Sequence, residues 1–351
     1  MTRAYADRAV GLAALVLAVL APFFVSSYWV GTLLTQMLFL GIVAASLIFL
    51  SSYGGMVSLA QVAIFGIAGF VVGNATTNGN TKGLNLGWNP WWGVLLALVV
   101  TVLIGLMFGA IASRSVGIYF LMITLTYSVI ATYTLGQVTN ISGFSGIAGI
   151  NRYTPGWIGD LNAHPNRLYY IGLGTAIFAY VLIRYIVRTP FGVSLQGVRD
   201  EPIRMGSLGY AVPLHRTMAF TFAAFLAALA GVLYAWYAGT VAPGDVDLPQ
   251  TINLLIMAVI GGLVRIEGAW VGAFVFFLMQ NYITSSTHVP LIGFGGTIFG
   301  GSFNTLIGII FLAIVVVSPD GLMGLWGRLF HTRRRPGGGE RTAAPAAGSA
   351  N

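Results

Sequence analysis

Apolar stretches long enough to cross a hydrocarbon layer recur along almost the whole of this chain, and that recurrence limits the available folds more than any single motif. About 17 to 25 residues of helix span a core of about 30 Å. Ten stretches qualify: residues 8–25, 29–50, 54–73, 91–113, 117–137, 167–187, 215–238, 251–264, 268–285 and 302–318. The eighth is short, and the third is interrupted by Gly54, Gly55, Gly66, Gly69 and Gly73. The count is ten if all of them cross, and nine or eight if these two turn back inside the layer. Charged residues make up only 7% of the 351 and hydrophobic ones 57%, whereas a soluble domain carries about 25% charge. Such a chain cannot cover a water-facing surface, and the expected fold is an all-α polytopic integral membrane protein.

Arg3 and Arg8 ahead of the first stretch imitate a signal peptide, but "APFFVSSYWV" offers no small-x-small cleavage site, so this segment is read as a retained helix. Lys and Arg near helix ends are held on the cytoplasmic side. With ten spans and the N-terminus inside, fourteen arginines from Arg3 to Arg341 fall in the cytoplasm and only Lys82, Arg152 and Arg167 fall outside. The net charge of +8 is thereby explained by orientation, with no call for a nucleic-acid partner. Residues 1–330 form the expected transmembrane domain, and the Gly-, Pro- and Ala-rich residues 331–351 a disordered cytoplasmic tail. The expected location is a bacterial inner membrane, with both termini cytoplasmic and lipid as the surrounding partner.

Several chemistries are disfavoured. The chain has no cysteine, which removes disulfides, thiolate catalysis and cysteine metal sites together. Its nine acids, Asp7, Asp160, Asp200, Glu201, Asp245, Asp247, Glu267, Asp320 and Glu340, all map to loops or span ends. Proton coupling through buried carboxylates, a metal centre and intramembrane catalysis each lose their usual residues. The phosphate-cradling pattern G-x-x-x-x-G-K-S/T needs a lysine, and the only one, Lys82, lies on the outer side. The chain is expected to bind no cofactor of its own, so ATP would be used by a partner. Uncharged polar residues at membrane depth, Ser58, Gln61, Thr124, Thr126, Asn253, Gln280 and Asn281, are candidates for a translocation path; each also fits interhelical hydrogen bonding.

One segment departs from this water-avoiding pattern. "FGVSLQGVRDEPIRMGSLGY", residues 191–210, carries four charges. Thr189 and Pro190 make a helix start, Leu195, Val198, Pro202 and Met205 recur at spacings of three and four, and Asp200 and Arg204 project opposite. Asp200 is placed to cap a second short helix, with Pro202 in its first turn and Gly209 as a left-handed end. About eight residues of helix measure roughly 12 Å, too short to span. Lying across a partner's groove and resting on the lipid surface are equally open on these grounds.

The stretch from Thr189 to Pro243, "TPFGVSLQGVRDEPIRMGSLGY…AGTVAP", resembles the cytoplasmic loop and following helix of permease subunits of the branched-chain amino acid ABC importers, a group that includes urea permeases. Arg199, Asp200, Leu208 and Gly209 match the family pattern; its glutamate falls on Pro202 and its small pair on Arg204 and Met205, with Glu201 one residue early. "SSYGGMVSLAQVAIFGIAGF" resembles the family's G-x-x-S-L-G-Q segment, with Ala60 in place of glycine. "SGFSGIAGI", "IGGLVRIEGAWVGAF" and "VVSPDGLMGLWGR" resemble its external loop, a glycine-spaced helix pair and its P-x-G-L-x-G ending. The resemblance implies a non-enzymatic permease subunit working with a second permease, two ATP-binding subunits and an external substrate-binding protein. The implied ATPase-coupling loop is residues 189–214, with Arg199, Asp200, Glu201, Pro202, Arg204, Leu208 and Gly209 as its contact set. The implied substrates are leucine, isoleucine and valine; urea or short amides, or a self-sufficient channel, are the alternatives.

Overall fold

The computed structural model describes residues 16–24, 26, 29–78, 83–155 and 165–285, with short pieces at 308–309, 311–312 and 321–324. A wide helical turn, Trp29–Leu34, runs into α1 (Thr35–Gly54), followed by α2 (Gln61–Thr76), α3 (Pro90–Ala112), α4 (Ile118–Gln137) and α5 (Pro165–Arg188). Next come α6 (Pro190–Asp200), α7 (Pro202–Ser207), α8 (Val212–Ala238), α9 (Leu248–Gly261) and α10 (Gly268–Ser285). Residues 16–24 are also helical, and the Tyr169 hydroxyl on α5 donates to the Ala18 carbonyl at 2.7 Å.

Sequence dictates which helices lie inside. α2 is apolar or small around its whole circumference, and all its residues but Val71 are buried. A helix with no polar face has no reason to meet water or a partner's polar surface. It packs against α8, and α8 packs in turn against α3 and α1. Small residues allow the close approach: Gly105 and Gly109 of α3 lie against Ala224 and Phe220 of α8, and Gly231 of α8 lies against the Phe65 carbonyl of α2. Outside this core, α3, α4 and α5 expose large apolar side chains, among them Leu103, Ile130 and Val181. Apolar surface of that extent is stable only in lipid or against other apolar protein.

Among the described residues, five helices are long and apolar enough to cross a membrane: 29–54, 90–112, 118–137, 166–188 and 212–238. Of the remaining candidates, 268–285 coincides with α10, while the third and eighth differ from the expected boundaries. Residues 54–73 do not form one helix; α2 starts only at Gln61, because Gly55 turns left-handed at φ 65° and residues 56–60 are irregular. Side chains satisfy backbone groups of this segment: Leu59 N–H donates to the Thr124 hydroxyl of α4 at 3.1 Å and Ala60 N–H to the Ser58 hydroxyl at 3.3 Å. α2 has 16 residues and α9 has 14, lengths of roughly 24 and 21 Å that fall short of a full crossing. The tenth stretch, 302–318, and the tail lie almost wholly outside the described residues.

The two faces of the bundle are well separated. On one, the ends of α1, α6 and α9 meet: the Arg199 guanidinium donates to the Ser52 carbonyl, and the Ser52 hydroxyl to the Leu263 carbonyl. On the other, β1 (Ile147–Ala148) pairs antiparallel with β2 (Thr240–Val241), placing Ile147 opposite Val241. Asn74 closes the same end of α2, buried there while its side chain donates to the Phe70 carbonyl at 2.9 Å and accepts from Leu84 N–H at 2.8 Å.

Candidate functional site

The charged segment divides into a fixed half and a presented half. Thr189 caps α6 by accepting Gly192 N–H at 3.4 Å, and Pro190 occupies the first helical position, where no N–H is needed. Leu195 and Val198 are fully buried, against α1, α5 and α8. The apolar face of this half therefore belongs to the bundle's own core, not to lipid. Arg199 ties its end down: the guanidinium reaches Ser52, Nε lies 2.7 Å from Asp200, and the side chain crosses Gly55.

α7 is the presented half. Pro202 again stands in a first turn, and Gly209 ends the helix at φ 89°, with Tyr210 N–H donating to the Met205 carbonyl at 3.1 Å. Asp200 does not cap this helix. Glu201 stands at the cap position, with no side-chain cap bond, because Asp200 is engaged by Arg199 on the preceding helix. Glu201, Arg204, Leu208 and Gly209 are exposed, Pro202 is partly covered, and Ile203 is 88% and Leu208 66% exposed. Behind them His215 stacks on Phe191 at 5.8 Å and meets Tyr210 at 5.6 Å, bracing α7 against the start of α8.

The seven path candidates separate into groups. Ser58, Gln61 and Thr124 are fully buried around the α2 start. Gln61 Oε1 accepts from the Ser46 hydroxyl at 3.1 Å, while its Nε2 has no partner among the described residues. Asn253 is half-buried on α9, and Gln280 and Asn281 are half-buried on α10. Thr126 is exposed on the outside of α4 and returns its hydroxyl to the Met122 carbonyl at 3.0 Å. The buried face of α4 is set by Phe120, Thr124, Tyr127, Ser128 and Ala131; a residue two positions from Thr124 is turned about 200° from it.

Asp245 lies in a connection between spans, as expected of every acid, but it is partly buried there. Residues 239–247 connect α8 to α9, but they fold into the bundle. Along the connection, Val241 lies against Gly69 of α2 and Val246 against Gly66, while Ile150 and Ile147 lie against Gly73. Seven residues of helix from Gly73 to Gly66 place Val246 roughly 10 Å along α2 from the Ile147 and Ile150 contact. There the Val246 carbonyl accepts the Ser128 and Thr132 hydroxyls of α4 at 3.2 and 3.1 Å. Asp245 accepts Ala242 N–H at 2.8 Å and borders a cavity of about 50 Å³ shared with Tyr234, Gln250 and Asn253.

Comparison with known proteins decides the family. The sequence profile described as "Branched-chain amino acid transport system / permease component" matches residues 29–318. The chain belongs to this permease family. It is 29% identical over 96 residues to the high-affinity branched-chain amino acid transport system permease protein LivM of both Salmonella typhimurium and Escherichia coli; these matches cover 27% of this chain and only 23% of those proteins. It is 23% identical over 242 residues to the probable branched-chain amino acid transport permease protein LivM of Methanocaldococcus jannaschii, covering 65% of this chain and 68% of that one. No solved structure matches. The chain is thus an all-α, multi-pass membrane protein of this permease family.

Within this permease of the branched-chain family, the glycine-spaced "IGGLVRIEGAWVGAF" stretch holds a bracket that sequence reading did not identify. Glu267 does not pair with its near neighbour Arg265; it accepts the Tyr180 hydroxyl at 2.8 Å and is salt-bridged to Arg184, both on α5. Gly261 and Gly268 approach each other's backbone on either side of the turn, so the turn is too tight to point Glu267 elsewhere. Burial by itself pushes the Glu267 carboxyl up, but its own backbone N–H, the Tyr180 hydroxyl and the Arg184 guanidinium outweigh burial and hold it below its ordinary value. The charged form is favoured on folding, so the bracket is complete at neutral pH and is lost as pH falls below the carboxylate range. Glu267→Gln is expected to lower the melting temperature of the purified chain at pH 7. The difference from wild type should shrink near pH 4, as a pair of thermal melts will show.

Proposed function

We propose that the chain is the permease subunit of an ATP-driven importer that moves branched-chain amino acids delivered by an external binding protein. The observation that carries this reading is the construction of the α6–α7 loop. α6 is locked into the bundle by Leu195, Val198 and the Arg199 contact to Ser52, while α7 holds Ile203 and Leu208 out to solvent. An apolar, exposed, rigidly mounted short helix suits a groove in another protein, and a push on it passes through Arg199 to the α1–α2 turn. The proposed occupant is one of two ATP-binding subunits, which supply the ATP chemistry. A second permease subunit completes the membrane unit. In this arrangement the face bearing α7 is the cytoplasmic side of an inner membrane, as are both termini, and β1–β2 mark the side that meets the binding protein.

Expression of the full operon with a tag on this chain tests the reading. An ATP-binding protein should copurify, and proteoliposomes containing the complex should accumulate leucine only with internal ATP and external loaded binding protein. A tagged chain that purifies without an ATPase, yet passes substrate down its gradient, would instead establish a channel. Uptake of urea or acetamide in place of leucine would redirect the substrate assignment.

A further inference from the structure

We propose that Asp245 receives the ammonium group of the transported amino acid as it passes through the bundle, an assignment that rests on the function proposed above. An ionised carboxylate partly buried among apolar helices, as Asp245 is, is costly unless it is paired. Among the described residues the salt bridges are Arg184–Glu267 and Arg199–Asp200, and neither involves Asp245. One oxygen of Asp245 accepts the Ala242 N–H; the other has no hydrogen-bond partner among the described residues. Asp247, two residues on, uses its carboxylate to cap α9 by accepting Leu248 N–H at 2.7 Å, so it offers Asp245 no compensation. The nearby N-terminus of α9 helps to keep an anion there charged, but it supplies no counter-ion. A migrating cation would.

The surroundings fit a primary ammonium carrying an aliphatic chain. Tyr234 and Phe65, both on the cavity wall, stand with ring centroids 5.1 Å apart beside Asp245, and aromatic faces attract a desolvated cation. Asn253 adds an amide, and Leu254 and Met257 complete an apolar wall for a branched side chain. The volume of about 50 Å³ is comparable to one or two water molecules at about 30 Å³ each. It accommodates an ammonium head but not a whole leucine, so this arrangement is a closed one and passage requires α9 to move away from α2. A neutral amide such as urea gains little from a carboxylate at this point, so the same residue separates the two substrate classes.

Asp245→Asn isolates the charge, because the asparagine oxygen can still accept the Ala242 N–H. In proteoliposomes with leucine-loaded binding protein and ATP, the variant complex should assemble with its ATP-binding subunits, and leucine uptake should fall about tenfold or more, the cost of one lost charged hydrogen bond. Assembled Asp245→Asn complex with uptake within about twofold of wild type, on that same scale, overturns the assignment and leaves the proposed function standing. A wild-type complex that moves no branched-chain amino acid defeats the proposed function itself. Should the variant not assemble, the wild-type complex gives the answer: Asp245 should react with a carbodiimide and glycine ethyl ester, read by peptide mass spectrometry. Trapping with leucine-loaded binding protein should suppress that labelling, and unsuppressed labelling overturns the assignment.

Discussion

Gly231→Val is expected to leave no correctly folded permease. A Cβ at this position would sit 2.1 Å from the Phe65 carbonyl oxygen and 3.0 Å from the Ala68 Cβ, both on α2. The nearer obstacle is backbone inside a fully buried helix, so neither a rotamer change nor a small side-chain shift relieves it. Overpacking a well-filled core costs about 1–3 kcal/mol and occasionally more. Here the upper end applies, since α2 and α8 must separate along their length and the α1–α3 contacts on both depend on them. The expected observation is aggregation on detergent extraction, or a melting temperature lowered by more than any surface substitution produces. Gly174→Ala is the matched control: a Cβ there meets nothing within 4 Å, and alanine favours a helix over glycine by about 0.8–1 kcal/mol. A monodisperse Gly231→Val protein with the wild-type melting temperature would refute the α2–α8 packing.

The membrane class, the outer spans and the exposed short helix could be read from the sequence because each rests on local pattern. Long apolar runs such as 91–113 need only length, and α3 indeed covers Pro90–Ala112. The Pro202 start and the Gly209 stop are likewise set by residue chemistry at single positions. What escaped reading was depth. "AGTVAPGDVD" has the Gly, Pro and Asp content of any surface turn, and nothing local shows that Thr240–Val241 pairs with Ile147–Ala148 or that Val246 enters the notch left by Gly66. Those contacts, made between segments far apart in the chain, hold Asp245 partly buried against the bundle. The same limit applies to α6: the spacing of Leu195 and Val198 announced an apolar face, but not that α1, α5 and α8 would cover it. Thr126 is a different case, since a helix with one buried face cannot bury both it and Thr124, and the buried spacing of Phe120, Thr124, Tyr127 and Ala131 already selects one of them.

Covering that apolar face changes how the docking of α7 must be tested. Truncating Leu195 or Val198 removes fully buried side chains and costs about 2–5 kcal/mol of permease stability for leucine to alanine, whatever α7 touches. Reversing Asp200 is also ambiguous, because it releases Arg199 from its partner and with it the contact to Ser52. The informative positions are those that the bundle does not use: Glu201, exposed with no cap bond, and Ile203 and Leu208, at 88% and 66% exposure. Ile203→Ser with Leu208→Ser removes apolar area from a partner's groove and nothing from the permease core. Glu201→Lys replaces one charged hydrogen bond with repulsion, a loss of about 1.5–3 kcal/mol or tenfold to a hundredfold in affinity. Both variants should extract and melt like wild type, while retention of the ATP-binding subunit on the tagged permease falls and ATP hydrolysis no longer responds to the loaded binding protein. A helix resting on lipid predicts the reverse for the charge, since a lysine at Glu201 strengthens attachment to an anionic surface and leaves hydrolysis coupled. Full coupling in the Glu201→Lys and Ile203→Ser/Leu208→Ser complexes would therefore assign α7 to the membrane surface and send the search for the ATPase contact elsewhere on the same face.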